Sequence, residues 1–238
     1  MGSEVAAMRP NAIPTASGLR RFAFYPYFLK LLWGVRRRLA PSLKRAVDVL
    51  VSGTALLCIT PIFALIALLI KLDDHGPILF WQQRIGKHGR IFRFPKFRSM
   101  VVDAEQRVAA VSTLNQHGDT ITFKMKRDPR ITRIGAILRR FSLDELPQLW
   151  CVFRGDMSLV GPRPALPREV AKYNLAARRR LNTTPGLTCI WQVSGRSNLA
   201  FPIQCEMDID YVRNRSLKLD IELLAKTIPA VITGKGAY

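Results

Sequence analysis

Cysteine is scarce in this 238-residue chain: Cys58, Cys151, Cys189 and Cys205 are the only four. No two form a Cys-x-x-Cys pair, and none stands at a zinc-binding spacing from a histidine, which argues against a metal finger. They read as small core residues in a reducing compartment. The three histidines, His75, His88 and His117, sit among turn-like residues and form no chemical pattern. Acid is scarce too. Seventeen Asp and Glu face 37 Lys and Arg, for a formal net charge of +20. A charge of this size implies an acidic partner: nucleic acid, anionic lipid or a phosphate-rich substrate. No internal repeat is present; nucleic acid would account for the charge, but no known nucleic-acid-binding motif appears. Apolar residues are not lacking. They make up 48% of the chain, which excludes wholesale disorder.

Charge is wholly absent from residues 49–70, a run of 22 positions. As a straight helix it spans about 33 Å, enough to cross a hydrocarbon core. It lies too far from the N-terminus for a signal peptide and lacks a cleavage motif. A buried core helix is the alternative, but one apolar on all faces is unusual in a small domain. Thr60-Pro61 interrupts the run; proline removes a backbone donor and kinks a helix, while the threonine hydroxyl can satisfy a freed carbonyl. Both flanks are basic: Arg36, Arg37, Arg38, Lys44 and Arg45 before, Lys71, Arg84, Lys87, Arg90 and Arg93 after. A straight span would carry one basic flank across the membrane, against the positive-inside rule. Residues 42–72 are therefore predicted to form a re-entrant membrane helical hairpin. Upstream, residues 22–33 are aromatic-rich and precede the arginine run, as in an interfacial segment on anionic lipid. Residues 1–19 read as a flexible leader, so 1–41 form a leader and interfacial amphipathic segment.

Residues 73–238 read as a cytosolic domain. Runs at 78–85 and 91–97, separated by Gly86-Lys-His-Gly89, predict a small β-hairpin. Residues 103–114 and 132–140 are helix-like, the latter basic with Ile134, Ile137 and Leu138 on one face. Leu166, Val170, Tyr173, Ala177 and Leu181 repeat at helical spacing, ended by Thr184-Pro185-Gly186. A last helix is expected over 217–232 with Leu217, Ile221, Leu224 and Ile228 aligned. The fold class is α+β, predominantly helical, with amphipathic helices at the membrane surface. Charge concentrates unevenly: residues 81–140 hold 14 basic and 4 acidic side chains, residues 181–238 hold 6 and 5.

Ser142-Leu-Asp-Glu-Leu-Pro-Gln148 follows that basic stretch. Ser142 with Glu145 fits a helix capping box; alternatively Asp144 is the cap and Pro147 lies in the first turn. The same place suits chemistry. A helix N-terminus and neighbouring arginines favour an ionised carboxylate. Such an Asp144 can be a metal ligand, a nucleophile or both, with Glu145 managing protons. Lys96 and Arg98 fall on one side of an extended segment. Arg163 stands between two prolines, which preorganises its planar fork for phosphate.

Together these residues resemble the bacterial sugar transferases, monotopic polyprenyl-phosphate phosphoglycosyl transferases, over about residues 43–238. The motifs are Lys44-Arg45 with Asp48, Gly76-Pro77-Ile-Leu-Phe80, Gln83-Arg84-Ile-Gly86, Lys96-Phe-Arg-Ser-Met100, Ser142-Leu-Asp-Glu-Leu-Pro-Gln148, Gly155-Asp-Met-Ser-Leu-Val-Gly-Pro-Arg-Pro164, Pro185-Gly-Leu-Thr188 and Trp191-Gln-Val-Ser-Gly-Arg196. The resemblance implies transfer of a sugar-1-phosphate from a nucleotide-diphosphate sugar to polyprenyl (undecaprenyl) phosphate at the cytosolic face of the bacterial inner membrane. Nucleoside monophosphate is released, and exopolysaccharide or glycoconjugate synthesis begins. It implies Asp144 as nucleophile through a phosphosugar–Asp intermediate, Glu145 as its partner, and Mg²⁺ held with help from Asp144. Lys96, Arg139 and Arg163 match positions near the phosphates, and Asp208 matches an acidic position before Tyr211-Val-Arg-Asn214. Arg98 is added from spacing alone. Thr60-Pro61 corresponds to the kink of the family's re-entrant helix. The chain looks like the compact catalytic form, and its oligomeric state, including a homo-oligomer, stays open. Cys189, where glycine is common, and the stretch Phe201-Pro-Ile-Gln-Cys205 depart from the family's pattern at the sugar-facing surface. A membrane-bound nucleic-acid binder or a non-catalytic scaffold would leave Asp144-Glu145 unexplained.

Overall fold

The computed structural model describes residues 16–107 and 128–234, without the side chains of residues 16–39 and of Ser197. Most of the expected leader and the second half of the helix expected over 103–114 lie outside the described residues. The chain divides into a unit of residues 1–43 and a unit of residues 44–238.

Helix α1 is assigned over Ala16–Asp74. Its portion Ala40–Asp74 is long and apolar enough to cross a membrane, and its most apolar 18-residue stretch has a mean hydropathy of 2.5. Leu50, Leu57, Leu65, Leu68 and Leu72 are all more than half exposed, so this is not a buried core helix. The assignment runs through Pro61 without a break, so the expected hairpin is not present as two separate helices. Thr60 Oγ1 donates to Leu56 O at 2.8 Å, one residue before the Leu57 carbonyl that Pro61 leaves without an i+4 donor.

One flank of the apolar run is bonded down through a polar cluster. Arg45 donates to the carbonyls of Val152 at 2.6 Å and Phe153 at 2.7 Å. Buried Asp48 accepts from Leu159 N at 3.0 Å. Lys44 pairs with Asp220 at 2.6 Å, and Tyr211 donates to the other oxygen of Asp220 at 2.7 Å. At the other flank Asp73 accepts from Ile134 N at 3.2 Å, and Asp74 pairs with Arg98.

Strands β1 (Leu79–Ile85) and β2 (Ile91–Phe97) form the expected antiparallel hairpin. Its register sets Phe80 opposite Lys96, Gln82 opposite Phe94 and Arg84 opposite Phe92, so these six share a face. A lone two-stranded hairpin is marginal in water. This one is anchored by Phe92 and Phe94, buried against Leu149, Val152, Met157, Leu159, Val160, Tyr211 and Leu223. Each such ring contributes about 1.5–3 kcal/mol. On the other strand face, Phe97 meets Phe63 of α1 edge-on at 5.1 Å.

The remaining elements are short. Helix α2 (Arg133–Arg140) is capped by Thr132, whose hydroxyl accepts from Gly135 N. Leu138 is buried, but Ile137 is exposed. After a 3-10 turn come α3 (Leu149–Arg154) and β3 (Ser158–Val160), which pairs in parallel with β4 (Gly186–Thr188). Residues 103–107 form turns, not the expected helix. The helix expected from Leu166 to Leu181 is divided into α4 (Pro167–Val170), α5 (Leu175–Arg178) and a 3-10 turn over Arg179–Asn182. Asn174 restarts it, accepting from Ala177 N at 2.8 Å, a local competition typical of asparagine. Helices α6 (Ile190–Ser194), α7 (Phe201–Asn214) and α8 (Leu217–Thr233) close the fold. The inward stripe of α8 is Asp220 and Leu223; of the residues expected to align, Ile221 and Ile228 are exposed, with Ile232. Hydrophobic periodicity misses a face whose buried anchor is an aspartate. Cys151, Cys189 and Cys205 are buried as expected, whereas Cys58 is exposed on α1.

Candidate active site

A cavity of about 850 Å³ opens on the Lys96 face of the hairpin. Asp144 lines it from the 3-10 turn Leu143–Gln148, in which Glu145 is the next residue. Ser142, before that turn, is left-handed (φ 55°) and makes no side-chain cap bond. The capping box is therefore not formed, and Asp144 lies inside the turn and is not its cap. Both carboxylates are released from capping.

Their surroundings differ sharply. Glu145 accepts from Arg163 at 2.5 and 3.2 Å and from Lys96 at 3.0 Å. Asp144, buried, reaches only Lys96 among the described residues, at 3.9 Å. Burial alone would raise the Glu145 pKa, but Arg163 and Lys96 outweigh it and hold the carboxyl well below the usual range. Burial raises Asp144 above its ordinary value; Lys96 opposes this and the Glu145 charge adds to it. Burial also lowers Lys96, with Glu145 opposing and Arg163 reinforcing. Pairs of carboxylates pushed apart in this way mark acid–base or nucleophilic roles. Glu145 is locked as an anion between two cations; Asp144 is the one left free to bond.

Arg163 is positioned by its neighbours in the chain. Gly161 N donates to Thr188 O at 3.0 Å and Gly186 N to Pro162 O at 2.9 Å, so the parallel β3–β4 pair clamps the loop. Close approach of Gly161 to Gly186 leaves no room for a Cβ on either. Arg139, at the C-terminal end of α2, also lines the cavity.

The structure thus brings Lys96, Arg98, Arg139, Asp144 and Arg163 to one wall. Arg98 is already engaged there. It pairs with Asp74, and its guanidinium occupies the space a side chain at position 76 would need, which is why Gly76 stands there. Asp208 lies behind the wall, fully buried on α7. It accepts from Arg180 at 2.5 Å and from the Trp191 indole at 3.3 Å, and both partners line the cavity. Burial raises its pKa, against the pull of Arg180. Its place is that of a support for two lining side chains.

Arg84 was not singled out for the site from sequence. It too lines the cavity, and strand alternation read through the hairpin register would have found it. No three of His, Cys, Asp and Glu converge as a metal cage among the described residues. Asp144 alone, unclaimed at close range, fits a Mg²⁺ held by one carboxylate together with substrate phosphates.

A buried carboxylate in a cationic cavity, on a chain with an exposed apolar helix, suits chemistry on phosphates. The chain belongs to the bacterial sugar transferase family, whose model matches residues 39–234. It is 40% identical over 221 residues to the exopolysaccharide production protein ExoY of Rhizobium meliloti (strain 1021), covering 92% of this chain and 98% of that protein. It is 41% identical over 202 residues to the UDP-galactose-lipid carrier transferase of Erwinia amylovora, and 38% identical over 221 residues to the undecaprenyl-phosphate galactose phosphotransferase of Salmonella typhimurium (strain LT2). These matches cover 82% and 91% of this chain, but only 42% and 46% of those proteins.

Proposed function

We propose that this protein transfers a sugar-1-phosphate from a nucleotide-diphosphate sugar to undecaprenyl phosphate, releasing nucleoside monophosphate and initiating exopolysaccharide synthesis. One observation carries the reading: of two adjacent carboxylates in a cationic cavity, Glu145 is pinned by Lys96 and Arg163 while Asp144 is unpinned. The names of the relatives supply the acceptor and the donor class.

Asp144 attacks the sugar-bearing phosphorus. A P–O bond to Asp144 forms as the bond to the nucleoside monophosphate breaks, and the electron pair leaves on that phosphate. Polyprenyl phosphate then attacks the phosphosugar–Asp144 adduct and regenerates the carboxylate. Arg163, Lys96 and Arg139 neutralise and orient the phosphates, which is most of what phosphoryl transfer requires. Glu145 holds Lys96 and Arg163 in place. Bound with the diphosphate, Mg²⁺ supplies further charge neutralisation at Asp144.

The lipid acceptor requires the site at a membrane. The apolar part of α1 enters the bilayer and returns on the same, cytosolic side. This is supported by bonding at both of its flanks, Lys44, Arg45 and Asp48 before Pro61 and Asp73 and Asp74 after it, to one body. The outward row Ile221, Ile228 and Ile232 of α8 suits the membrane surface.

Radiolabelled nucleotide sugars, tested as a panel with purified protein and undecaprenyl phosphate, decide the matter. Wild type should carry covalent label and release nucleoside monophosphate. Asp144→Asn should do neither, with activity down at least about a thousandfold. A wild type that turns over without ever becoming labelled would refute the covalent route.

A further inference from the structure

Arg84 is a cation in the cavity with no acid of its own. Among the described residues, no carboxylate lies within ion-pair distance of it. Nη1 donates to Pro164 O at 3.0 Å, and Nε is buried without a hydrogen-bond partner. Its guanidinium stands 5.1 Å from the centre of the Phe94 ring, and Lys96 Nζ stands 5.6 Å from the same ring. The two strands thus present one cation each around a single aromatic side chain, on the cavity face. Strand β1 is also stitched to the arginine loop: Ile85 N donates to Ala165 O at 2.9 Å. Position and orientation of Arg84 are therefore set by the same loop that carries Arg163.

Two arginines and two glutamates surround Arg84, and the stronger neighbour is an arginine. Burial is the main cause of a pKa brought down to about 10, and Arg163 is the next, with Arg168 adding to it. Glu169 and Glu145 offset only part. Glu145 is already claimed by Arg163 and Lys96, so the cluster holds a surplus of positive charge. Such crowding is costly unless an anion completes it. Lys96 and Arg163 serve Glu145, next to the nucleophile. Asp144 has Lys96, Arg139 and Arg163 as its neighbouring cations, whereas the neighbours of Arg84 extend to Arg168 and Glu169 on α4. The packing agrees: β1, which carries Arg84, lies against α4, whereas β2, which carries Lys96, lies against the turn that carries Asp144.

Resting on the function proposed above, we infer that Arg84 binds the departing nucleoside phosphate of the donor. When the P–O bond breaks and its electron pair moves to that phosphate, Arg84 donates hydrogen bonds to the oxygen that gains charge. The acceptor's phosphate, attacking in line opposite Asp144, enters the place that the nucleoside phosphate leaves and meets the same arginine.

Full-length protein in detergent tests this with Arg84→Gln and Arg84→Lys. UDP, GDP and inorganic pyrophosphate are titrated calorimetrically, and the tightest binder is used for comparison. Adduct formation from the labelled nucleotide sugar and discharge of the adduct to undecaprenyl phosphate are timed separately. Arg84→Gln should weaken binding of the probe about ten- to a hundredfold, the effect of one lost charge-assisted contact. It should slow adduct formation similarly, and discharge as well, since the entering phosphate takes the place of the departing one. Arg84→Lys should recover part of the binding, and it decides the matter if Arg84→Gln does not fold. Unchanged probe affinity, with or without a lower melting temperature, would reduce Arg84 to a staple for Pro164 and overturn the inference. So would unslowed adduct formation, or a wild type that binds none of the probes. Absence of covalent label on wild type counts against the parent mechanism alone, since the titrations judge Arg84 independently.

Discussion

Asp144 and Glu145 are chemically similar neighbours that folding makes unlike. The difference has a pH signature. Asp144 must be ionised to attack, and its pKa lies above the ordinary aspartate value of 3.8. The acid limb of kcat/KM should therefore fall above pH 3.8. Replacing Glu145 by glutamine removes a negative charge and leaves the cations, so Asp144 should ionise at lower pH. A carboxyl-carbon NMR titration reads this directly, and an upward move would contradict the geometry. For stability the sign is opposite for Glu145: its depressed pKa means a contribution present above its unfolded value of about 4.3 and lost as pH falls through the folded one. Asp208 is predicted to matter differently. Asp208→Asn leaves Arg180 buried without its counter-charge and should cost about 3–5 kcal/mol of stability, measured by urea unfolding. An unchanged midpoint with a raised donor KM would place Asp208 on the substrate instead.

At the scale of elements, polar anchors decide what apolar patterns propose. The β-hairpin was legible because alternation and a Gly-bounded turn agree. The outward faces of α8 and the break after Val170 were not, because Asp220 and Asn174 override hydrophobic periodicity through hydrogen bonds that sequence spacing does not reveal. Lys44, Arg45 and Asp48 were recognised as a motif but not as an anchor; their partners stand more than a hundred residues away. Arg98 is the same case, its partner being Asp74 at the end of α1. Asp74→Ala should strand Arg98 in a buried site and lower stability by about 3 kcal/mol, visible as a reduced urea midpoint. An unaltered midpoint would mean that the latch carries no weight.

For the whole molecule, the surplus of base now has places. Part surrounds two carboxylates in a cavity; part flanks an apolar helix whose two flanks are bonded to the same body. Cysteines introduced at Ser42 and Leu72, in a Cys58→Ser background, should both react with a membrane-impermeant reagent only after the cytosolic side is exposed. Reaction from opposite sides would establish a spanning helix. The charge-free run, the hairpin, the basic surplus and the acidic pair were all readable from the chain, because each is a local property of composition or spacing. Which carboxylate is pinned, that Arg98 is engaged, that Asp208 stands behind the wall and that Arg84 joins Lys96 across a ring were not. Those depend on distances between residues far apart in the chain and on how strongly burial amplifies each charge, and both exist only once the backbone has closed around the cavity.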